Sequence, residues 1–262
     1  LNQQNIGVAY LNGMDEYYGM DKNQYNYLLS AWTIGYVIGQ IPSNLILGRL
    51  NARIYLGGLQ VIWGVLCLLQ IVCENLQQLY FIRFLLGLSE LAFFPGIQYI
   101  LGSFYAPKEL AKRSTLFSIS SSLAGVLSPL IQQAILANSD LRFCDKLQPF
   151  QVMFLINSVI TIPIALYSMF VLPNNPTRIT EFYFNETDKY IAVERRRRLG
   201  QNITLKSSSS AQDFKNLFSS WHIFVFPLIF LAYNNSTGCH GQPTFQTWMK
   251  LDLKLPPSAY NV

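Results

Sequence analysis

The sequence predicts an all-α, polytopic membrane protein. Three observations point there. Hydrophobic residues make up 51% of the chain and charged residues only 13%, against about 25% charged in soluble domains. Apolar stretches long enough to cross a bilayer recur along the 262 residues. Lys and Arg then gather in every second connection between those stretches. Mean hydropathy is only +0.24, because polar connections and many Asn, Gln and Ser within the spans hold it down.

The chain opens with LNQQNIGVAYLNGM. It lacks a basic n-region and signal-peptide pattern, and reads as the outer end of a first helix. Asp15, Glu16 and Asp21 form an acidic outer loop. The second span runs from Tyr25 to Leu47. Gly35 and Gly39 make a GxxxG pair that lets a neighbouring backbone approach closely. Tyr36, Gln40 and Asn44 sit four apart and form a polar stripe on one face. The stripe reads either as cavity lining or as inter-helix hydrogen bonding. The third span is about Ile54 to Cys73, with Gly57, Gly58 and Gly64 suited to close packing.

The fourth span, Leu79 to Ser103, organises the rest. It is nearly all apolar yet carries Arg83 and Glu90. Each charge costs about 2.5–3.5 kcal/mol at the centre of a membrane helix on insertion scales. Seven residues apart, they share one helix face, with Cα atoms roughly 10 Å apart along the axis. That face reads as a cavity wall, with a guanidinium for an anion and a carboxylate that can take a proton. Its structural alternative is two residues each paired with a neighbouring helix.

The fifth span is about Ser114 to Ala137. Ser118, Ser121, Ser122, Gly125, Ser128 and Pro129 crowd one side, as a packing seam or as substrate contacts. The sixth is Pro149 to Leu172, closed by Pro173–Asn174–Asn175–Pro176, which cannot continue a helix. The predicted domains are a transmembrane bundle over 1–172, a polar linker over 173–219 that is helical around Thr187 to Leu199, and the start of a second bundle over 220–262. A seventh span begins at Trp221 and ends near Asn234–Asn235.

Thirteen of the 19 Lys and Arg lie in the turns after spans two, four and six. By the positive-inside rule those turns, the 173–219 linker included, are cytoplasmic. The net charge of +5 and the run Glu194 to Arg198 then reflect orientation rather than nucleic-acid binding. Metal and nucleophile patterns are absent: His222 and His240 lack ligand spacing, and the four cysteines show no CxxC. Cys144 and Cys239 both fall on the expected outer side, which leaves a disulfide between them open. An enzyme is not expected.

Several stretches resemble the major facilitator superfamily, and within it the anion:cation symporters that include allantoate permease. Arg83-Phe-Leu-Leu-Gly87-Leu-Ser-Glu90 with Phe94-Pro95-Gly96 is similar to that family's fourth-helix signature. Pro42-Ser43-Asn44-Leu45 with Arg49 and Arg53 resembles its second helix and turn. Leu172-Pro173-Asn174-Asn175-Pro176 resembles its close of helix six. Trp221-His222 and Asn234-Asn235 look like the fungal vitamin-transporter branch, which carries pantothenate and biotin.

The resemblance implies an N-terminal six-helix bundle plus the first helix of a C-terminal bundle. It implies a proton-coupled symporter of a small organic anion, a vitamin or an allantoate-like compound, working by alternating access. Arg83 would bind the carboxylate, with Tyr36, Gln40, Asn5 and Asn234 as polar contacts, and Glu90 would carry the proton. The expected partners are the anion, protons and the lipid bilayer of the plasma membrane; the protein is expected to act as a monomer, without cofactor or nucleic acid. Two departures stand out. Gly48 occupies the position of an Asp that caps and gates, and Asn2 and Gln3 replace an acidic–basic pair in helix one. With no second cation, Arg83 would hold the anion alone, which favours a monocarboxylate. A nutrient sensor without net transport, or a non-functional fragment, remain the alternatives.

The charge asymmetry gives a direct test of orientation. A cysteine placed at Ser208 should react with a membrane-impermeant maleimide only after cells are opened; labelling of intact cells would reverse the map.

Overall fold

The computed structural model describes residues 2–21, 23–137, 147–174, 176, 183–198, 218–237, 248–249 and 253. All regular structure among them is helical: α1 (Asn2–Ala9), α2 (Asp15–Tyr17), α3 (Gln24–Arg49), α4 (Ala52–Leu69), α5 (Leu76–Glu90), α6 (Phe93–Phe104), α7 (Pro107–Ala137), α8 (Pro149–Val171), α9 (Glu186–Arg198) and α10 (His222–Thr237). Among the described residues, four spans are long and apolar enough to cross a membrane: Ala52–Val72, Leu76–Phe104, Pro107–Ala137 and Pro149–Val171. Helix α3 has the length, 26 residues, but carries Gln24, Asn26, Gln40 and Asn44 and falls outside that group. The apolar part of α10, His222–Ala232, is too short to join it. The chain is a multi-pass membrane protein.

Three departures from the sequence expectation have local causes. Between α1 and α2, Tyr10–Met14 is π-helical, with the helix interrupted at Asn12 and at Gly13, whose φ is 98°. Only glycine adopts that angle readily. The Asn12 side chain donates to the Val8 carbonyl at 2.7 Å, which satisfies an acceptor within the irregular turn. The fourth span is interrupted by two turn residues, Leu91 and Ala92, directly after Glu90. Pro95 lacks the N–H that would bond the Leu91 carbonyl, and its ring crowds that turn. The fifth span begins at Pro107 instead of Ser114, because proline is preorganised for a first helical position.

Glycines set how closely the helices cross. A Cβ on Gly35 would meet the Phe84 carbonyl oxygen at 2.3 Å, and one on Gly87 would meet the Trp32 carbonyl oxygen at 2.2 Å. So α3 and α5 touch backbone to backbone. Gly39 continues the seam against Leu91. Gly57 and Gly64 seat α4 against Met169 and Ile162 of α8 in the same way, and Gly96 of α6 receives Leu56. Gly58 has nothing within 4 Å, so the expected packing role falls to its two neighbours in the series. The small-residue face of α7 behaves differently. Ser118, Ser121 and Ser122 are exposed, and Gly125 meets nothing within 4 Å. Ser128 alone of that set is fully buried.

Among the described residues, apolar packing falls into three clusters. One, at the expected outer end, joins Ile6, Met14, Tyr25, Leu28, Leu79, Ile135, Phe150 and Phe154. A second joins Leu47, Ala52, Leu56, Leu91 and Ile100 near the opposite end. Leu66, Cys67 and Leu86 lie between. At that opposite end, Asn174 accepts from the Ala52 N–H at 3.3 Å and donates to Asn51 at 3.1 Å, so the close of α8 caps the start of α4. Helix α9 is tied on by Arg195–Glu109 at 2.6 Å and by Phe184 stacked on Phe104.

The α3–α5 seam predicts unequal costs for the same small change. Gly87→Ala should lose about 1–3 kcal/mol through overpacking, read as a lower melting temperature in detergent, whereas Gly58→Ala should melt like wild type. Equal melting of the two variants would remove the backbone contact from the account.

Candidate functional site

The site is built where α3 crosses α5. With no Cβ at Gly35 or Gly87, the Trp32–Tyr36 turn of α3 lies directly against the Arg83–Glu90 turns of α5. Trp32 is stacked on Tyr36 with ring centroids 5.1 Å apart and planes at 24°. Its indole N–H donates to a Glu90 carboxylate oxygen at 3.0 Å. The interruption at Leu91 follows immediately, so Glu90 is the last residue of its helical segment.

Tyr36 and Gln40 are both half-buried. They follow Trp32 at four-residue steps, so Trp32, Tyr36 and Gln40 form one face of α3. Asn44 continues the series but is exposed. Trp32 is the residue that sequence reasoning missed. The signal was present: stepping back four from Tyr36 along the same stripe reaches it.

Arg83 is only 4% exposed. Its guanidinium carbon stands 5.9 Å from the ring centroid of Phe154 on α8. Its Nε and Nη2 are buried without a hydrogen-bond partner. The side chain is thus drawn into the bundle interior, against α8. A cation over a ring recovers about 0.5–2 kcal/mol, whereas insertion at a helix centre costs about 2.5–3.5.

The remaining candidates are placed elsewhere. Asn5 on α1 is 3% exposed, and its side-chain oxygen accepts a hydrogen bond from Ser128 of α7. That joins α1 to α7 within the bundle. Asn234 falls within α10, and its side chain lies outside the described residues. The structure therefore groups Trp32, Tyr36, Gln40 and Glu90 in one place, Arg83 further along the same α5 helix and deeper, and Asn5 at a separate helix junction. Cys67 and Cys73 are buried free thiols; Cys144 and Cys239 lie outside the described residues. No group of three or more His, Cys, Asp or Glu able to hold a metal occurs among the described residues.

Comparison with known proteins agrees with this architecture. Residues 1–256 match the family model for the Major Facilitator Superfamily. A pantothenate transporter of Schizosaccharomyces pombe is 28% identical over 100% of this chain and 50% of its own length. A pantothenate transporter of Saccharomyces cerevisiae is 29% identical over 92% of this chain and 48% of its own. The vitamin H transporter of the same yeast is 29% identical over 95% of this chain and 43% of its own. The chain spans about half the length of these curated relatives. An all-helical multi-pass bundle, glycine-seamed crossings and a family match over nearly its whole length together make this chain a member of the major facilitator superfamily.

Proposed function

We propose that the protein is a proton-coupled plasma-membrane importer of a small organic monocarboxylate, of the pantothenate or biotin kind, working by alternating access. The observation that carries this is Arg83: an enclosed guanidinium with two unpaired nitrogens in an apolar helix bundle. The relatives named for pantothenate and vitamin H transport lend support.

Arginine stays charged at any working pH, and its planar fork suits a carboxylate. Arg83 holds the substrate anion in this reading. Glu90 gains and loses a proton, and so couples import to the proton gradient. As a carboxylate it accepts from Trp32. When protonated, it also becomes a donor. Because Trp32 is stacked on Tyr36, a change at Glu90 reaches the aromatic pair beside the substrate path. Midplane sites served by two rocking halves are the superfamily's mode of action, and Tyr36, Gln40, Asn5 and Asn234 are proposed as further polar contacts.

The two charges make different predictions in the full-length gene product, with transport normalised to surface abundance. Arg83→Ala should abolish both uphill uptake and exchange. Arg83→Lys should recover poorly, with apparent affinity down by about tenfold or more, since losing one charge-assisted hydrogen bond costs about 1.5–3 kcal/mol.

Glu90→Gln mimics the protonated state. It should keep exchange of substrate across the membrane, which needs no net proton movement, while losing accumulation driven by a pH gradient. Concentrative uptake by Glu90→Gln would end the proton-carrier role. A nutrient sensor would show binding to Arg83 without uptake in wild type.

A further inference from the structure

Arg83 of α5 meets Phe154 of α8, and the start of α8 explains how the ring is brought there. Pro149 opens the helix, and the Gln148 N–H donates to the Gln151 side-chain oxygen at 2.9 Å. The Gln151 amide donates in turn to the Ile71 carbonyl at 3.1 Å. That bond pins the first turn of α8 to the end of the Ala52–Val72 span. Phe150 and Phe154 stand four apart, so they share one face of the pinned turns. Their ring centroids are 6.2 Å apart, with planes at 80°. Phe150 is backed by Tyr17 at 5.6 Å and Tyr18 at 6.3 Å. The Tyr18 hydroxyl donates to the Cys73 carbonyl at 2.7 Å. Phe154, itself 3% exposed, is therefore held by contacts that do not involve Arg83.

Pairing a buried arginine with a ring has a chemical consequence. A carboxylate neighbour would attract the charge and also occupy its N–H groups. An aromatic face attracts the charge through its quadrupole and brings no oxygen lone pair to take an N–H. Arg83 combines these features. Its guanidinium carbon is 5.9 Å from the Phe154 centroid, within cation–π range. Its Nε and Nη2 are nevertheless buried without a hydrogen-bond partner. The guanidinium is held in place with two of its nitrogens uncommitted. An arginine with a purely structural task is better served by a partner that pairs them, since an unmade hydrogen bond on a buried charged group is costly.

We infer that Phe154 is the positioning residue of the anion site, its ring holding the Arg83 guanidinium where a substrate carboxylate meets it. This rests on the carboxylate role proposed for Arg83. The ring counts toward affinity by preorganisation: without it the guanidinium adopts other rotamers in the empty protein and has to be brought back on binding. Ring electrostatics, and not ring size alone, then set part of the affinity. Fluorine withdraws electron density from the ring face and weakens its hold on a cation, with little change in shape. Loss of the cation–π contact is thus separable from loss of packing.

The test measures equilibrium binding of radiolabelled pantothenate and biotin to the purified full-length gene product. Phenylalanine carrying one, two or three ring fluorines is incorporated at position 154. Affinity for an acid that wild type binds should fall stepwise with fluorine number, by about fivefold or more at three. Phe154→Met, which removes the ring at nearly constant volume, should weaken binding at least as much, and serves if the fluorinated proteins express poorly. A ring that merely fills space gives a different pattern: the fluorinated proteins bind as wild type does, and Phe154→Met binds with unchanged affinity.

A flat fluorine series, or unchanged affinity in Phe154→Met, would overturn the inference. Arg83→Ala separates it from the reading beneath it. If Arg83→Ala binds both acids as wild type does, or wild type binds neither, the carboxylate role fails and the positioning role with it. If Arg83→Ala loses binding while the fluorine series is flat, the positioning role alone fails.

Discussion

With the Phe84 carbonyl 2.3 Å from where a Gly35 Cβ would stand, and the Trp32 carbonyl 2.2 Å from a Gly87 Cβ, α3 and α5 cross with no side chain between them. In lipid, helices gain little from burying apolar surface against each other, so association depends on close packing and on polar contacts. The glycines provide the first. The second follows from it, because the approach brings the Trp32 indole within 3.0 Å of Glu90. A wider crossing would separate this pair, and both charged residues of α5 would lose the wall that α3 gives them.

The interruption after Glu90 extends the same logic along the membrane normal. Pro95 frees the Leu91 carbonyl, and the chain restarts as α6 with Gly96 receiving Leu56 of α4. Discontinuous helices are tolerated in membranes where the irregular backbone is buried in protein, and Leu91 and Ala92 are buried here, at 3% and 1% exposure. The carboxylate thus sits at the break between the segment that carries Arg83 and the one that carries Pro95 and Gly96. At the far end of the bundle the turn before α4 is held by Asn174. Gly48, where the superfamily's pattern has an acidic residue, leaves that turn without a carboxylate, and an amide from the close of α8 supplies a cap to α4 instead.

The linker helix α9 shows how a polar segment is kept against a membrane bundle. Its ion pair to Glu109 is half-exposed, and such pairs contribute at most about 1 kcal/mol. The stacked Phe184–Phe104 rings and the Tyr183 hydroxyl on the Val171 carbonyl add short-range anchors. Arg197 and Arg198 point outward at 77% and 79% side-chain exposure, in keeping with a solvated surface.

Much of the fold was legible because hydrophobic length and charge asymmetry are one-dimensional properties. The spans at Gln24–Arg49, Ala52–Leu69, Pro149–Val171 and the helix Glu186–Arg198 fall within a few residues of where apolar runs, Gly and Pro placed them. The sequence also singled out Arg83 and Glu90, since a charge in an apolar run needs no structure to be conspicuous. What it did not determine was direction. Seven residues apart on one helix, the two were expected to share a cavity face; the local partners, Phe154 beside the Arg83 guanidinium and the Trp32 indole on Glu90, come from the fold. Asn5, expected as a polar contact, is already engaged by Ser128, a partner 123 residues away. Gln132 and Asn157 look like ordinary polar interruptions of apolar runs. Only the packing shows that both are enclosed, Gln132 with neither side-chain atom paired and Asn157 with its Nδ2 unpaired. Periodicity records which residues share a face of one helix; which face meets which neighbour is decided by contacts between distant segments, and those exist only in the tertiary structure.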